Sequence, residues 1–246
     1  MKMLVAISQT PETTARIAFK ENNSLFDPSG VNYIMNPYDE WYALVRALEL
    51  KEEKGGTVTV IHAGPAANDV TIRKALAIGA DDAVRIDLEP ASAEVVAREI
   101  SNYAKDKNFD ILFAGKETID YNGSLVGSMI AGWLDLPFIS NASHLSTKGD
   151  GFVVTRDIEG GTEEIEVNAP FVVSAAKGLA EQRIPNMKGI MSAKTKPLQV
   201  ISPTSSDSNV MAVQYRVPAA KSAVHLVDPA DVDELVRLLH EEAKVI

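Results

Sequence analysis

Gly115 and the polar run that follows it are the one place in this chain where residue types and spacing suggest ligand chemistry. The stretch from Asp110 to Pro137 reads DILFAGKETIDYNGSLVGSMIAGWLDLP. It is a short apolar run (Ile111, Leu112, Phe113, Ala114), then Gly115, a polar turn, and an amphipathic segment starting near Ser124. A strand that ends in Gly and feeds such a turn aims free backbone N–H groups at an anion, and the dipole of the next helix favours negative charge there. Asn122, Gly123 and Ser124 suit the turn and the N-cap, and Leu125, Met129, Ile130, Trp133 and Leu134 fall at helical spacing as an apolar stripe. Taken by itself, such a segment is more often an ordinary strand-to-helix connection that holds nothing.

No catalytic constellation accompanies it. His62, His144, His225 and His240 are scattered, without metal-ligand spacing, and each reads as a surface or packing residue. A Walker lysine motif, a G-x-G-x-x-G after the first strand and a G-x-S-x-G elbow are all missing. The sequence therefore predicts no catalytic residues, no metal ligands and no enzyme acting on its own. Zero cysteines exclude disulfides, thiolate catalysis and cysteine-ligated iron–sulfur clusters, and fit a reducing compartment. A net charge of −10 and a pI near 4.9 argue against a nucleic-acid partner, because no excess of cations is present to replace phosphate counterions. No apolar run approaches the ~20 residues that cross a bilayer, so the chain is not expected to be membrane-inserted. MKMLVAISQ reads as a first strand rather than a signal or transit peptide, and the expected location is cytoplasmic.

The elements that must position the turn follow from periodicity. Strands are predicted at Met3–Ile7, Val58–Ile61, Ala83–Ile86 and Asp110–Ala114, with helices at Tyr38–Lys54, Ala67–Ile78 and Ala93–Lys107 between them. This alternation indicates an α/β fold with a doubly wound, mainly parallel sheet. Ligands of such sheets lie beyond the carboxyl ends of the strands, where the winding reverses. If the first strand lies beside the fourth, Ala6–Ser8 and Ala114–Asp120 face each other there, with His62–Pro65 on the same edge. Ala63 and Gly64 would let a flat ring approach, though Gly-Pro equally well only turns the chain. The insert from Ile17 to Met35 is expected as a small hairpin over the sheet's edge. Phe152–Arg156 and Glu164–Asn168 around Glu159–Gly160–Gly161 predict a β-hairpin extension, and Phe171–Ala175 another buried strand. GLAEQRIPNMKGIMSAKTKP, from Gly178 to Pro197, has no clear period. Ser202–Asn209 reads as a linker and Val227–Lys244 as a C-terminal tail helix carrying Val232, Leu235, Val236 and Leu239. The expected division is residues 1–201, an α/β nucleotide-binding domain that includes a docking segment at 183–194, and 202–246, a linker and helix that dock on a partner.

Six blocks in order resemble one family, the small (beta) subunit of electron-transfer flavoprotein. They are MNPYDEWYALVRALELKE at Met35–Glu52, VTVIHAGPA at Val58–Ala66, TIRKALAIGADDAVRI at Thr71–Ile86, FDILFAGKETID at Phe109–Asp120, RDIEGGTEE at Arg156–Glu164 and AEQRIPNMKGIMSAKTKPLQVI at Ala180–Ile201. The resemblance runs nearly the whole chain, and ALAIGAD with a downstream I-M-x-A-K-x-K-P is its most specific pair. It implies a Rossmann-like, adenine-nucleotide-binding fold that buries AMP for structure. It also implies a larger alpha subunit that mainly holds the redox FAD, with docking by flavin dehydrogenases such as acyl-CoA dehydrogenases of fatty acid beta-oxidation. Electrons pass on to a quinone reductase.

Carried over position by position, the resemblance puts AMP against Ala6, Asn36, Pro37, Tyr38, Asp39 and Ala63, and against the turn of Gly115, Lys116, Glu117, Thr118, Ile119, Asp120, Tyr121, Asn122, Gly123, Ser124, Leu125 and Val126. Thr13 and Tyr38 would lie toward the partner's flavin. Arg183, Ile184, Pro185, Met187, Ile190 and Met191 would form the dehydrogenase-docking segment, with Met187 as its apolar anchor. The chain departs from the family in that turn. Leu125 stands at a usual Gln, Gly123 and Ser124 replace the usual pair, and Tyr121 stands where a small or acidic residue is common. Val45 and Arg46 also replace an acidic pair. An electron-bifurcating member with a second FAD in place of AMP is the alternative, although GSLVGS keeps only Val126–Gly127 of that group's turn. An unrelated adenine-nucleotide enzyme of similar fold, such as an ATP-dependent ligase or a stress protein, is remote because its phosphate motif is missing.

Overall fold

A computed structural model describes residues 1–89, 92–221 and 223–246. The first half runs β1 (Lys2–Ala6), β2 (Gln9–Pro11), β3 (Phe19–Lys20), β4 (Leu25–Phe26), β5 (Tyr33–Met35), α1 (Asp39–Lys54), β6 (Thr57–Ala63), a 3-10 turn at Ala66–Asn68, α2 (Asp69–Ile78), β7 (Asp82–Ile86), α3 (Ala93–Ala104), β8 (Ile111–Gly115) and α4 (Val126–Leu134). The second half adds β9 (Phe138–Lys148), β10 (Gly151–Ile158), β11 (Gly161–Val167), β12 (Phe171–Ala175), α5 (Met187–Ala193), β13 (Leu198–Ile201) and α6 (Val232–Arg237).

The strands form one nine-stranded sheet in the order β11-β10-β9-β12-β8-β1-β6-β7-β13. It is parallel from β9 through to β13, and β10 and β11 add an antiparallel hairpin at one edge. From β1 the chain steps to β6 and β7 on one side, then returns to place β8 on the other side, with Met3 opposite Ile111 and Val5 opposite Phe113. The winding therefore reverses between β1 and β8, the pairing on which a ligand crevice depends.

Period-two alternation in β1 sends Met3 and Val5 into the core shared with α1 and α2, and Leu4 and Ala6 into the core shared with α3 and α4. Both faces are covered, so β1 is apolar throughout. Each fully buried Leu, Ile or Phe of these two cores contributes roughly 1.5–3 kcal/mol. Leu145, Phe152 and Val154 from β9 and β10 join the α1 face, where Phe152 and Phe171 pack with ring centroids 5.4 Å apart.

Several elements differ from the sequence expectation. The excursion after β1 does not lie over the sheet's edge. Its β2–β5 ladder grows from the end of the central strand β1, Asn36 N–H donating to the Ser8 carbonyl, and the β3–β4 hairpin extends from it. Ser124 has φ +53°, outside the extended region an N-cap needs, so α4 begins at Val126 behind Leu125. The later start shifts the buried face to Gly127, Ile130 and Ala131 and leaves Leu125 and Trp133 exposed, so neither belongs to the core stripe. The C-terminal helix is shorter than Val227–Lys244. Asp228 and Pro229 form a turn, the Asp231 side chain caps Glu234 N–H, and helix runs Val232–Arg237 with a π-helical continuation at Leu238–Glu242. The aperiodic segment contains α5, whose Asn186 cap accepts from Gly189 N–H at 2.8 Å.

Candidate functional site

The first two residues of α1 tie together the two strand ends that flank the winding reversal. Asp39 accepts the Glu117 N–H at 2.8 Å, just past the end of β8. Glu40 accepts both the N–H and, at 2.8 Å, the hydroxyl of Ser8, just past the end of β1. Burial raises the Asp39 carboxyl, opposed by its bond from Glu117 N–H. Burial pushes Glu40 up to about 8, against the two bonds from Ser8. Gly115 lies against this pair: a Cβ there would stand 2.7 Å from Glu40 Cγ and 3.1 Å from Asp39 Cβ, so only Gly fits.

Asn36 is fully buried beside them. Its Nδ2 donates to the Glu117 carbonyl at 2.9 Å, while its Oδ1 finds no donor among the described residues. Gln9 Oε1 and Thr10 Oγ1, on the adjoining β2, are likewise buried without a partner among the described residues. Orphaned acceptors cost about 1–3 kcal/mol each unless a ligand or water supplies the donor. Their position at the base of the excursion makes this a place built for polar contact.

The turn from Lys116 to Leu125 then opens to solvent. Asn122 N–H bonds back to the Thr118 carbonyl, and Tyr121 N–H to Asp120 Oδ1. No acceptor among the described residues takes the N–H groups of Gly123, Ser124, Leu125 or Val126. Asn122 and Ser124 both hold left-handed φ, +49° and +53°, the kind of backbone in which successive N–H groups can converge on an anion. α4 has no side-chain cap and no acidic residue in its first turn, unlike α3, capped by Ser92. Gly127 lets α4 approach the sheet, because a Cβ there would meet Phe138 at 3.1 Å and Ala114 at 3.3 Å.

The far wall is locked by His62. Its Nδ1 lies 2.9 Å from the Ile7 carbonyl and its Nε2 2.9 Å from Asn68 Nδ2, so the neutral ring donates to the first and accepts from the second. Burial lowers its pKa, consistent with that neutral form. Arg85 Nη1 donates to the Gly64 carbonyl at 3.0 Å and closes the same corner. His62 is thus a packing residue, as its sequence context indicates; His144, His225 and His240 are exposed.

Most residues singled out in the sequence gather around this crevice. Ala6 and Ala63 are buried at the ends of β1 and β6, Asn36–Asp39 lead into α1, and Gly115–Val126 form the turn. Tyr38 and Thr13 are exposed at either end of the excursion. Ser8 was picked out only as the end of the Ala6–Ser8 edge, and Glu40 was not picked out. The sequence shows Asp39–Glu40 only as an acidic helix start, and nothing local reveals that both carboxyls turn inward. Shallow concavities of about 370 and 390 Å³ around Gly149–Gly151 share no residue with the crevice.

A second surface lies on the other side of α1. Arg183 pairs with Glu52 at 2.6 and 2.9 Å, and Trp41 Nε1 donates to the Arg183 carbonyl at 3.2 Å. Arg73 donates at 2.7 Å to the carbonyls of Ala193 and Lys196, and Lys196 Nζ to those of Leu76 and Ala80. On this fixed frame Ile184 (88% exposed), Met187 (75%), Ile190 and Met191 face solvent, so Met187 is not a core plug. The tail after β13 is pinned along α3, where Glu99 accepts from Thr204 N–H, Thr204 hydroxyl and Ser205 N–H. No helix among the described residues is long and apolar enough to cross a membrane.

Comparison with known proteins bears on both surfaces. The sequence model of the electron transfer flavoprotein domain matches residues 24–206. An electron transfer flavoprotein subunit beta from Bacillus subtilis is 34% identical over 260 aligned positions, covering 100% of both chains. The human protein of that name is 36% identical over 209 positions and covers 82% of each chain. That of Thermoanaerobacterium thermosaccharolyticum is 37% identical over 199 positions, 80% of this chain and 76% of its own.

Proposed function

The chain belongs to the electron transfer flavoprotein family, with the beta subunits, and from that membership we propose that it is the small half of a heterodimeric electron carrier. It holds AMP as a structural ligand in the crevice between β1 and β8. The observation that carries this reading is the uncapped start of α4, with the unused N–H groups of Gly123–Val126 in the turn that follows β8, the strand beside the winding reversal. The residues present suit the ligand. The phosphate needs N–H donors, and main-chain groups supply them although Leu125 stands at a usual Gln. A purine needs a donor-hungry polar wall, and the orphaned Asn36 Oδ1 would take its exocyclic amine. Asn122 is not among the donors, since its N–H is engaged by Thr118.

The large subunit mainly holds the FAD, which supplies the electron storage, and Thr13 and Tyr38 lie toward it. Flavin dehydrogenases, including acyl-CoA dehydrogenases, dock on Arg183, Ile184, Pro185, Met187, Ile190 and Met191, and a quinone reductase takes the electrons onward. The tail after residue 202 docks on the large subunit, which would cover the exposed Val232, Leu235 and Val236. The proposed setting is the cytoplasm.

Mass spectrometry of the small molecule released by denaturing the co-purified dimer tests the ligand. AMP is the expected result, whereas FAD above one per dimer would mean a bifurcating member. Expressed singly, the chain should be colourless; stoichiometric flavin on it would count against the division of labour.

A further inference from the structure

We propose that Glu40 is a neutral carboxylic acid that sets the width of the crevice, tying the end of β1 to α1 without adding negative charge beneath an anionic ligand. This rests on the nucleotide reading above and adds a positioning residue to it. Glu40 is 6% exposed, and only Oε2 is engaged, by Ser8 N–H and hydroxyl. Oε1 takes no hydrogen bond from the described residues, which leaves it free to carry the proton.

Burial and the nearby like charges oppose ionisation, and together they outweigh the two bonds from Ser8, which favour the charged form. Asp39 on its own helix and Asp120 in the β8–α4 turn are like charges. The end of β1 offers only the uncharged Ser8, and Lys116 at the end of β8 is held by Glu117 at 3.1 Å. A buried carboxylate without a cation gives up its charge, and its raised pKa has that cause. Asp39 performs the matching task at Glu117, so two adjacent carboxyls hold the two lips of one crevice. Gly115 between them leaves no slack, since even a methyl group would strike Glu40.

Charge at Glu40 therefore has two linked consequences. The folded chain binds this proton more tightly than the unfolded chain, whose carboxyl ionises near 4.5. As pH rises from 4.5 to about 8, the wild type loses stability relative to Glu40→Gln, and outside that window the difference is constant. Above pH 8 an ionised Glu40 also repels a bound phosphate. Nucleotide affinity then falls by up to about tenfold per pH unit, because binding requires reprotonation.

The test uses the full chain, stripped of nucleotide, with AMP titrated calorimetrically from pH 6.5 to 9 and denaturant unfolding followed from pH 5 to 9. Glu40→Gln, which keeps an acceptor for Ser8 but cannot ionise, should bind AMP within about threefold of the wild type at pH 7. It should escape the alkaline loss, and titration of the AMP phosphate cancels between the two chains. Glu40→Ala should bind more weakly than Glu40→Gln at every pH, and more weakly than the wild type at pH 7, because Ser8 is released. Identical pH profiles for wild type and Glu40→Gln would overturn the neutral acid, and wild-type affinity in Glu40→Ala would overturn the positioning role. If Glu40→Ala does not fold, weaker binding by Ser8→Pro, which removes both the N–H and the hydroxyl that reach Glu40, reports on the same tie, and unchanged binding overturns it. Failure of the wild type to bind AMP at any pH would instead sink the nucleotide reading and the positioning role with it. The unfolding profiles would then still decide the protonation state of Glu40.

Discussion

Tyr215 lies flat on Phe19, their ring centroids 4.8 Å apart and their planes 9° from parallel. Tyr215 N–H donates to the Asn23 carbonyl at 2.7 Å, and its hydroxyl adjoins that of Tyr121 in the open turn. Since the tail is also pinned to α3 through Glu99, it crosses from one face of the sheet to the hairpin of the excursion, past the mouth of the crevice. Burial, first, and then Tyr215 push the Tyr121 hydroxyl up to about 12.

Tyr215→Ala should release this crossing without unfolding the chain. A stacked aromatic pair contributes ~0.5–1.5 kcal/mol beyond its buried area, enough to shift a local equilibrium but not the global one. Limited proteolysis should cut faster between residues 209 and 221 while the melting temperature moves little. A tyrosinate absorbance titration should show one phenol returning toward the ordinary value near 10. Unchanged cleavage would mean the tail is held elsewhere.

Two glycines in the same turn should respond oppositely. Gly115→Ala forces a Cβ against Glu40 and Asp39 and should cost about 1–3 kcal/mol in denaturant unfolding, as overpacked sites do. A Cβ at Gly123 meets open space, so Gly123→Ala should be neutral in stability and in nucleotide content. Gly123→Pro removes one of the free N–H groups and should lose bound nucleotide. It should also melt lower, because a ligand bound only to the folded state stabilises by mass action. Retained nucleotide in Gly123→Pro would place the anion elsewhere.

What the sequence made legible is the periodic part. β1, β6, β7 and β8 are short apolar runs buried on both faces, and the helices between them carry one apolar face each, so their order and the winding reversal could be read directly. β9 could not. FISNASHLSTK carries few apolar residues, and Asn141 interrupts it with φ +58°, so pairing with β12 and β10, not local pattern, makes it a strand. α5 was hidden because Pro185, Gly189 and the exposed Met187, Ile190 and Met191 break any amphipathic period. At the site, the Gly115 turn was visible from residue types. The inward carboxyls of Asp39 and Glu40 were not, because their partners Glu117 and Ser8 are distant in sequence and offer backbone N–H groups, which every residue has.

Met187→Ala tests the second surface. Met187 is 75% exposed at the start of α5, while the segment beneath it is fixed by Arg183–Glu52, Trp41 and Arg73. A mobile side chain on a rigid frame is what a docking anchor requires, since the frame limits the entropy lost on binding and Met adapts to the pocket it enters. Truncating such an anchor costs on the order of 2 kcal/mol, roughly a thirtyfold rise in half-saturation for dehydrogenase-dependent flavin reduction. Flavin content, melting temperature and reduction by dithionite should not change, because Met187 packs against nothing in the core. Arg183→Ala should act differently: it releases the frame, so it should raise the half-saturation while also speeding proteolysis of residues 182–196. If Met187→Ala lowers the melting temperature and leaves the half-saturation alone, the side chain supports the fold and the dehydrogenase docks elsewhere.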